Sequence, residues 1–469
     1  MKPSNPATTT LSRRKQITEG VISTVLFRLT MPMMIAIVAI MGLGVIDSYF
    51  VAYLGTNELA AIGFTAPIAA MVTSFALGLG MGISSLTSRL IGEEREQSAA
   101  RLITDGFYLT LLVSALTIAL LYLGQTLIFR WLGADEEVLP VIALYMQWWI
   151  PCIPFLMITL VSSSTLRALG DTANAAKIAI SMALFNLILD PILIFGFGPI
   201  PAMGISGAAL ATTLAGILAC IHAVHRLGWV EKVLISALPT RDEFWANQNA
   251  LMSIAVPAVL ANSIVPLIAT LLTVIVAVMG TAAVAGFGVS TRIEALCLIV
   301  VYALSSTLPM FIGQNLGAQK LSRVRDAITL CFRFTLVWQL VVALILLLTA
   351  KHIAAIFTSD PAVANIIIWF LWLTPLSHGF AGNVILINVA MNVLGKPKLA
   401  LYINLARLLV LTVPPAYLGL YLAGVQGLFL AIVFGNLVAY FIAKVLLDRT
   451  LSELNILPVR VLSSHSSSA

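Results

Sequence analysis

"LGTNELAAIGFTAPI" (54–68) returns later in the chain as "MGTAAVAGFGVSTRI" (279–293). Gly55 pairs with Gly280, Thr56 with Thr281, Gly63 with Gly288 and Ile68 with Ile293, each pair 225 positions apart. The same offset pairs Pro32 with Pro257, Gly92 with Gly317, Ile103-Thr104 with Ile328-Thr329, and Leu169-Gly170 with Leu394-Gly395. Greasy segments resemble one another by composition, but glycines and prolines at one fixed spacing do not follow from hydrophobicity. The chain reads as an internal duplication, in one register across four or five helices.

What is duplicated follows from composition. Hydrophobic residues make up 60% of the 469 positions, charged residues 10%, and the mean hydropathy is +1.02. A soluble domain carries roughly 25% charged residues, so this chain lacks the polar surface to cover itself and the bilayer is its solvent. Crossing a bilayer takes about 20 residues of helix. Twelve such stretches lie near 28–53, 61–86, 105–128, 138–164, 176–198, 205–227, 250–279, 284–312, 328–350, 364–393, 399–422 and 425–447. The expected fold is an all-α integral membrane protein with twelve transmembrane helices in two pseudo-symmetric six-helix lobes. An even number of spans per half makes the repeats parallel, related by an axis along the membrane normal, as in many secondary transporters. The expected division is an N-terminal tail (1–24), a first lobe (25–227), a linker and hinge (228–249), a second lobe (250–449) and a C-terminal tail (450–469), with "LSSHSSSA" at the end disordered.

Lys and Arg set the orientation. They crowd one set of connections, from Arg13, Arg14 and Lys15 through Arg89, Arg95 and Arg101 to Lys444 and Arg449, while the alternate set offers only Arg130 and Lys351. This asymmetry predicts a multi-pass protein of the inner (plasma) membrane with both termini cytoplasmic. The polar start "MKPSNPATTTLSRRKQITEG" leads into a full-length span, so no cleavable signal peptide is expected. The net charge of +6 is scattered over short loops and gives no sign of nucleic-acid binding. Cys152, Cys220, Cys297 and Cys331 fall inside apolar spans without a CxxC spacing, which argues against disulfides or a zinc site. Five scattered histidines offer no nucleophile–base pair or metal-ligand cluster, so no enzyme and no cofactor are expected.

Function is sought where the two halves differ. Asp47 stands opposite Leu272 in the repeat, Asn186 opposite Leu411 and Asp190 opposite Pro415. A carboxylate at the centre of a membrane helix costs about 2.5–3.5 kcal/mol, and at these positions only the first half bears that cost. Asn186 and Asp190 are four apart and project from one helix face. Pro191 frees the carbonyl of Leu187. An amide, a carboxylate and a carbonyl thus gather at mid-membrane depth, a seat for a proton or a small hard cation. Thr212 in "GAALATT" adds a hydroxyl, and Pro32, roughly 22 Å before Asp47 along a helix, is a bending point for the first span. The structural alternatives are helix–helix hydrogen bonds for Asn186 and Thr212, a paired carboxylate for Asp47, a helix end at Asp190 and a tolerated membrane proline at Pro32.

Three further features carry both readings. Met33, Met34 and Met41 on the first span suit a cavity that accommodates varied shapes, or simple packing. Arg292 and Glu294 lie two apart inside a span, so they do not face each other and each needs another partner; together they shape a second-lobe cavity or serve structure. His378 is a proton relay or a satisfied histidine.

Proline and aspartate in span 1, Asn-x-x-x-Asp-Pro in span 5 and "GAALAT" in span 6 resemble the multidrug and toxic compound extrusion (MATE) family, a likeness that covers nearly the whole chain, "GQNLGA" (313–318) included. The resemblance implies a MATE/MOP flippase-like fold and an antiporter that exports drugs or organic cations in exchange for H+ or Na+, working as a monomer by alternating access. It assigns Asp47, Asn186, Asp190 and Thr212 to the first-lobe cation and proton site and Pro32 to helix bending. Many members also carry an acidic residue in span 7 or 10. Residues 251–279 and 364–393 have none, which is similar to the DinF-like prokaryotic branch, where the first lobe alone couples. The alternative within the same superfamily is a flippase for lipid-linked precursors, whose pyrophosphate cargo calls for more cavity cations than Arg292 and Arg407.

Overall fold

The computed structural model describes residues 6–237 and 239–456. Among the described residues, eleven helical stretches are long and apolar enough to cross a membrane. The last of them, Pro397–Glu453, leaves helical geometry at Ala423 and Gly424, where Gly424 takes a left-handed φ of 62°, and so splits into two. The twelve expected spans are therefore present. The expected tail disorder at "LSSHSSSA" lies outside the described residues.

The first lobe holds α2 (Ile22–Ala52), α3 (Thr56–Gly92), α4 (Glu96–Trp131), α5 (Leu139–Trp149) continued by α6 (Ile153–Ala168), α7 (Thr172–Phe195) and α8 (Ile205–His225). The second holds α9 (Arg241–Ala277), α10 (Thr281–Cys297) continued by α11 (Ile299–Gly317), α12 (Leu321–Phe357), α13 (Pro361–Leu373) continued by α14 (Pro375–Val393), α15 (Pro397–Leu405) and α16 (Val413–Glu453). A short α1 (Pro6–Glu19) precedes them. The duplication reappears in the boundaries. Thr56 and Thr281 open equivalent helices, as do Glu96 and Leu321, while Gly92 and Gly317, and Ala168 and Val393, close them. The shared offset of 225 positions thus sets structure as well as sequence.

Several helices outrun their apolar stretches. The span expected near 105–128 is α4, Glu96–Trp131, and that near 328–350 is α12, Leu321–Phe357. Hydropathy marks only the lipid-embedded part, whereas a helix continues as long as its backbone bonds are satisfied. The same holds for the expected linker. α9 begins at Arg241, inside 228–249, because "TRDE" (240–243) is a capping box in which Thr240 accepts from the Glu243 amide at 3.3 Å. The remaining linker is fastened to α4. Thr104 accepts from the amide of Ile235 at 3.0 Å, and Arg101 donates to the carbonyl of Ala237 at 2.5 Å. Buried Asp105 pairs with Arg101 and accepts from Asn247 at 2.7 Å.

One core cluster holds Ile142, Met146, Ile153 and Met157 of the first lobe and takes in Leu251 and Ala255 of α9; in the second lobe Leu308, Phe311, Ile387 and Met391 belong to one cluster and Phe287, Ile367 and Phe429 to another. The start of α2 crosses over, with Leu26 and Leu29 packed into the second-lobe core. The lobes meet closely at the face that carries both described chain ends. There Thr30 and Thr307 hydroxyls lie 3.0 Å apart and Ser85 donates to the carbonyl of Asn392 at 3.3 Å. α1 straps the same face. Arg13 pairs with Asp171 (3.0 Å) and Glu231 (3.1 Å) of the first lobe. Arg323 of the second lobe donates to the carbonyls of Ile17 (3.1 Å) and Gly20 (2.7 Å). Away from this face, Gly42, Gly63, Gly280 and Gly288 have no neighbour within 4 Å of where a Cβ would stand.

Candidate functional site

The first-lobe site is built by close helix approach. In α8 the run "GAALATTLAGILA" presents Gly207, Ala208, Ala211 and Ala215 as buried small residues. A Cβ on Gly207 would stand 2.3 Å from the carbonyl oxygen of Leu193, so only glycine lets α8 lie this near α7. That approach carries Thr212 to Asn186, whose side-chain amide donates to Thr212 Oγ1 at 3.4 Å and to Asp190 Oδ1 at 3.2 Å. The Thr212 hydroxyl in turn donates to the carbonyl of Ala208 at 3.1 Å. Asp190 is fully buried and Asn186 nearly so.

Asp47 completes the group from α2. Its carboxyl, half-buried, adjoins that of Asp190. Asp47 Oδ1 and Asp190 Oδ2 are both buried without a hydrogen-bond donor. Two acceptors with nothing to accept are costly in a membrane interior, and a shared proton or a small cation is what such a pair can take. The four residues expected at this site are therefore brought together. Tyr145 of α5 also stands near both carboxyls. Its one signal along the chain is a phenol inside the otherwise apolar "IALYM" (142–146).

The helix-bending and cavity residues fall differently. α2 stays helical through Pro32, and α7 through Pro191. Met33 is buried in the first-lobe core, so it packs rather than lines a cavity, while Met34 rests against the cores of both lobes and Met41 is half-buried. Arg292 is exposed. Glu294 points elsewhere, its Oε1 3.5 Å from His378 Nε2 and its carboxyl near Arg407. The asymmetry at Asp47 and Asp190 thus does not leave the second lobe without ionisable groups at depth. The second lobe gathers Glu294, His378 and Arg407, whose repeat mates Ala69, Ile153 and Met182 are apolar; matching positions mark each residue as unpaired in the repeat but do not say that the three come together. Neither ring nitrogen of His378 has a hydrogen-bond partner among the described residues, where a satisfied histidine would have one.

A family model, MatE, matches residues 32–192 and again 257–418, two segments that begin at Pro32 and its repeat mate Pro257. The FAD transporter of Shewanella oneidensis is 38% identical over 90% of this chain and 94% of its own length. Multidrug export protein MepA of Staphylococcus haemolyticus is 24% identical over 91% of this chain and 93% of its own. Among solved structures, the Vibrio cholerae MATE transporter VcmN in its bent form superposes with a TM-score of 0.86 at 31% identity, covering 96% of this chain and 99% of that one. A MOP superfamily transporter from Pyrococcus furiosus, at 22% identity and a TM-score of 0.86, shares the fold. A family model matched once in each repeat, joined to relatives of this identity along nearly the full length, shows that the chain belongs to the MATE family of multi-pass membrane transporters and is not an enzyme.

Proposed function

We propose that the protein is an antiporter that exports small organic molecules in exchange for H+ or Na+ taken up at Asp47, Asn186, Asp190 and Thr212. The observation that carries this is the pair of orphaned oxygens, Asp47 Oδ1 and Asp190 Oδ2. In the state with the lobes parted, a proton or cation enters from the open side and binds between the two carboxyls. Neutralising them removes their mutual repulsion and changes the hydrogen bonds joining α2, α7 and α8. α2 then bends near Pro32, where the missing amide leaves the carbonyl of Arg28 without its helical donor, and the bound molecule is released. Each charge that crosses the membrane field contributes about 2.3 kcal/mol per 100 mV.

The Lys and Arg distribution supports an inner-membrane location with the strapped face and both termini in the cytoplasm, and both lobes being supplied by one chain supports a monomer as the working unit. For the cargo, the 38% relative makes flavin adenine dinucleotide the first molecule to test. Organic cations are the second, supported by the multidrug-export relatives at lower identity. The experiment is uptake into everted or reconstituted vesicles, at fixed membrane potential, with the pH and sodium gradients imposed separately. Gradient-driven accumulation of either cargo, lost in Asp47→Asn, is the expected result. Accumulation that ignores both gradients would remove the coupled-antiport reading.

A further inference from the structure

Three interruptions of helix meet in the second lobe. α10 passes into α11 at Leu298, α13 into α14 at Thr374, and α15 into a π turn over Ala406–Val410. Wide turns and broken helices in membrane transporters mark places where a side chain or ligand interrupts the backbone ladder. Here each break has an ionisable residue beside it: Glu294 one turn before the first, His378 one turn after the second, Arg407 within the third.

These side chains share one space. His378 Nε2 lies 3.5 Å from Glu294 Oε1. His378 is 1% exposed, and Nδ1 and Nε2 both lack a hydrogen-bond partner. The Glu294 side chain keeps 35% of its surface open. Arg407 stands near the same carboxyl and near Tyr302, its Nε buried and unpartnered, and it forms no ion pair among the described residues. From the elements packed around them, the titratable and charged groups facing the pair are Arg407, Tyr302 and Cys297. Gln339 of α12 is occupied with the carbonyl of Cys297 and Asn436 of α16 with Ser377.

A buried imidazole whose two nitrogens have no hydrogen-bond partner, 3.5 Å from a carboxylate, is a pair that one added proton would join through a charge-assisted bond. We propose that Glu294 and His378 form a proton-binding site of the second lobe, the proton lying between Glu294 Oε1 and His378 Nε2 and reaching it past the side of Glu294 that the protein leaves uncovered. Arg407 competes with that proton for the carboxylate. When the proton leaves to water, the guanidinium takes over as the counter-charge, drawing the π turn towards the end of α10. Two proton sites, one per lobe, would then govern a single cleft from helices that are not repeat mates. Use of this site in transport rests on the coupled-export reading, whereas proton binding does not.

The test counts protons on the full-length purified protein. Between pH 8 and pH 5, Glu294→Gln in an Asp47→Asn/Asp190→Asn background is expected to bind one proton fewer than that background alone, and His378→Asn likewise. In the otherwise unaltered protein, Glu294→Gln should delete one carboxylic C=O band from the pH-difference infrared spectrum, and Glu294→Asp should restore it. Equal proton counts together with an unchanged spectrum overturn the proposal. Wild-type vesicles that fail to couple transport to any gradient would refute the export reading and leave the proton count to decide this one.

Discussion

Gly92 and Gly317 are the same position of the two repeats, and they touch: a Cβ built on Gly317 would stand 3.0 Å from the Cα of Gly92. It would also stand 2.2 Å from the carbonyl oxygen of Arg89, and a Cβ on Gly92 would stand 2.3 Å from that of Gln314. Backbone meets backbone here across the axis that relates the lobes. Gly317→Ala must therefore push the closed ends apart, at an overpacking cost of about 1–3 kcal/mol. The expected outcome is a folded protein whose strapped face opens more often. Distances between spin labels on the ends of α3 and α11 should lengthen or broaden relative to the wild type. An unchanged distribution would mean the contact does not hold the lobes.

The first-lobe cluster predicts an ordered series. Asn186→Leu leaves both Asp190 Oδ1 and Thr212 without the amide that joins them, and gradient-driven transport should fall by roughly 10-fold or more, the kinetic equivalent of one lost buried hydrogen bond to a charge-bearing group. Thr212→Val should cost only a few-fold, because the hydroxyl already donates to Ala208 and so offers only acceptor capacity to the site. Initial rates under a fixed gradient check the order, and a larger effect at Thr212 than at Asn186 would contradict it.

The α1 strap carries a pH dependence of definite sign. Burial works against ionisation of Asp171, but hydrogen bonds from Asn174 and the charges of Arg13 and Arg226 outweigh it and hold its carboxyl below the ordinary value. A depressed carboxylate stabilises above its unfolded pKa of about 3.9 and loses that contribution as pH falls through the folded value. The strap should therefore be docked at neutral pH and loosen only below about pH 4. Arg13→Ala should loosen it at neutral pH, removing charge-assisted bonds of about 1.5–3 kcal/mol. Amide hydrogen exchange across α1 reads both, and protection that is the same in Arg13→Ala as in the wild type counts against the strap.

Asp105→Ala should be the most damaging substitution away from either ionisable cluster. It strips the buried Arg101 of its partner and Asn247 of its acceptor, and so unseats the guanidinium that donates to the carbonyl of Ala237 in the linker. Breaking one side of a buried pair costs about 3–5 kcal/mol. A large drop in melting temperature, or failure to accumulate in the membrane, is expected. Conversely, Arg292→Ala, at an exposed position, should melt within a degree or two of the wild type.

The sequence by itself determined the architecture. Apolar length fixed the number of spans, since each helix must satisfy its own backbone in lipid. Glycines and prolines at one offset fixed the duplication, because turns and close approaches demand those residues locally. Asp47, Asn186 and Asp190 stood out because their repeat mates are apolar. Tertiary structure alone decided what meets what. Nothing local in α1 says that Arg13 reaches Asp171 and Glu231 while Arg323 holds the same helix from the other lobe. Glu294 and His378 come from different helices whose repeat mates carry no counterpart, and the neighbouring Arg292 drew attention as a partner it cannot be on a helical turn. Such pairings depend on how two lobes rotate and stack, and packing over long sequence separations leaves no periodic trace along the chain.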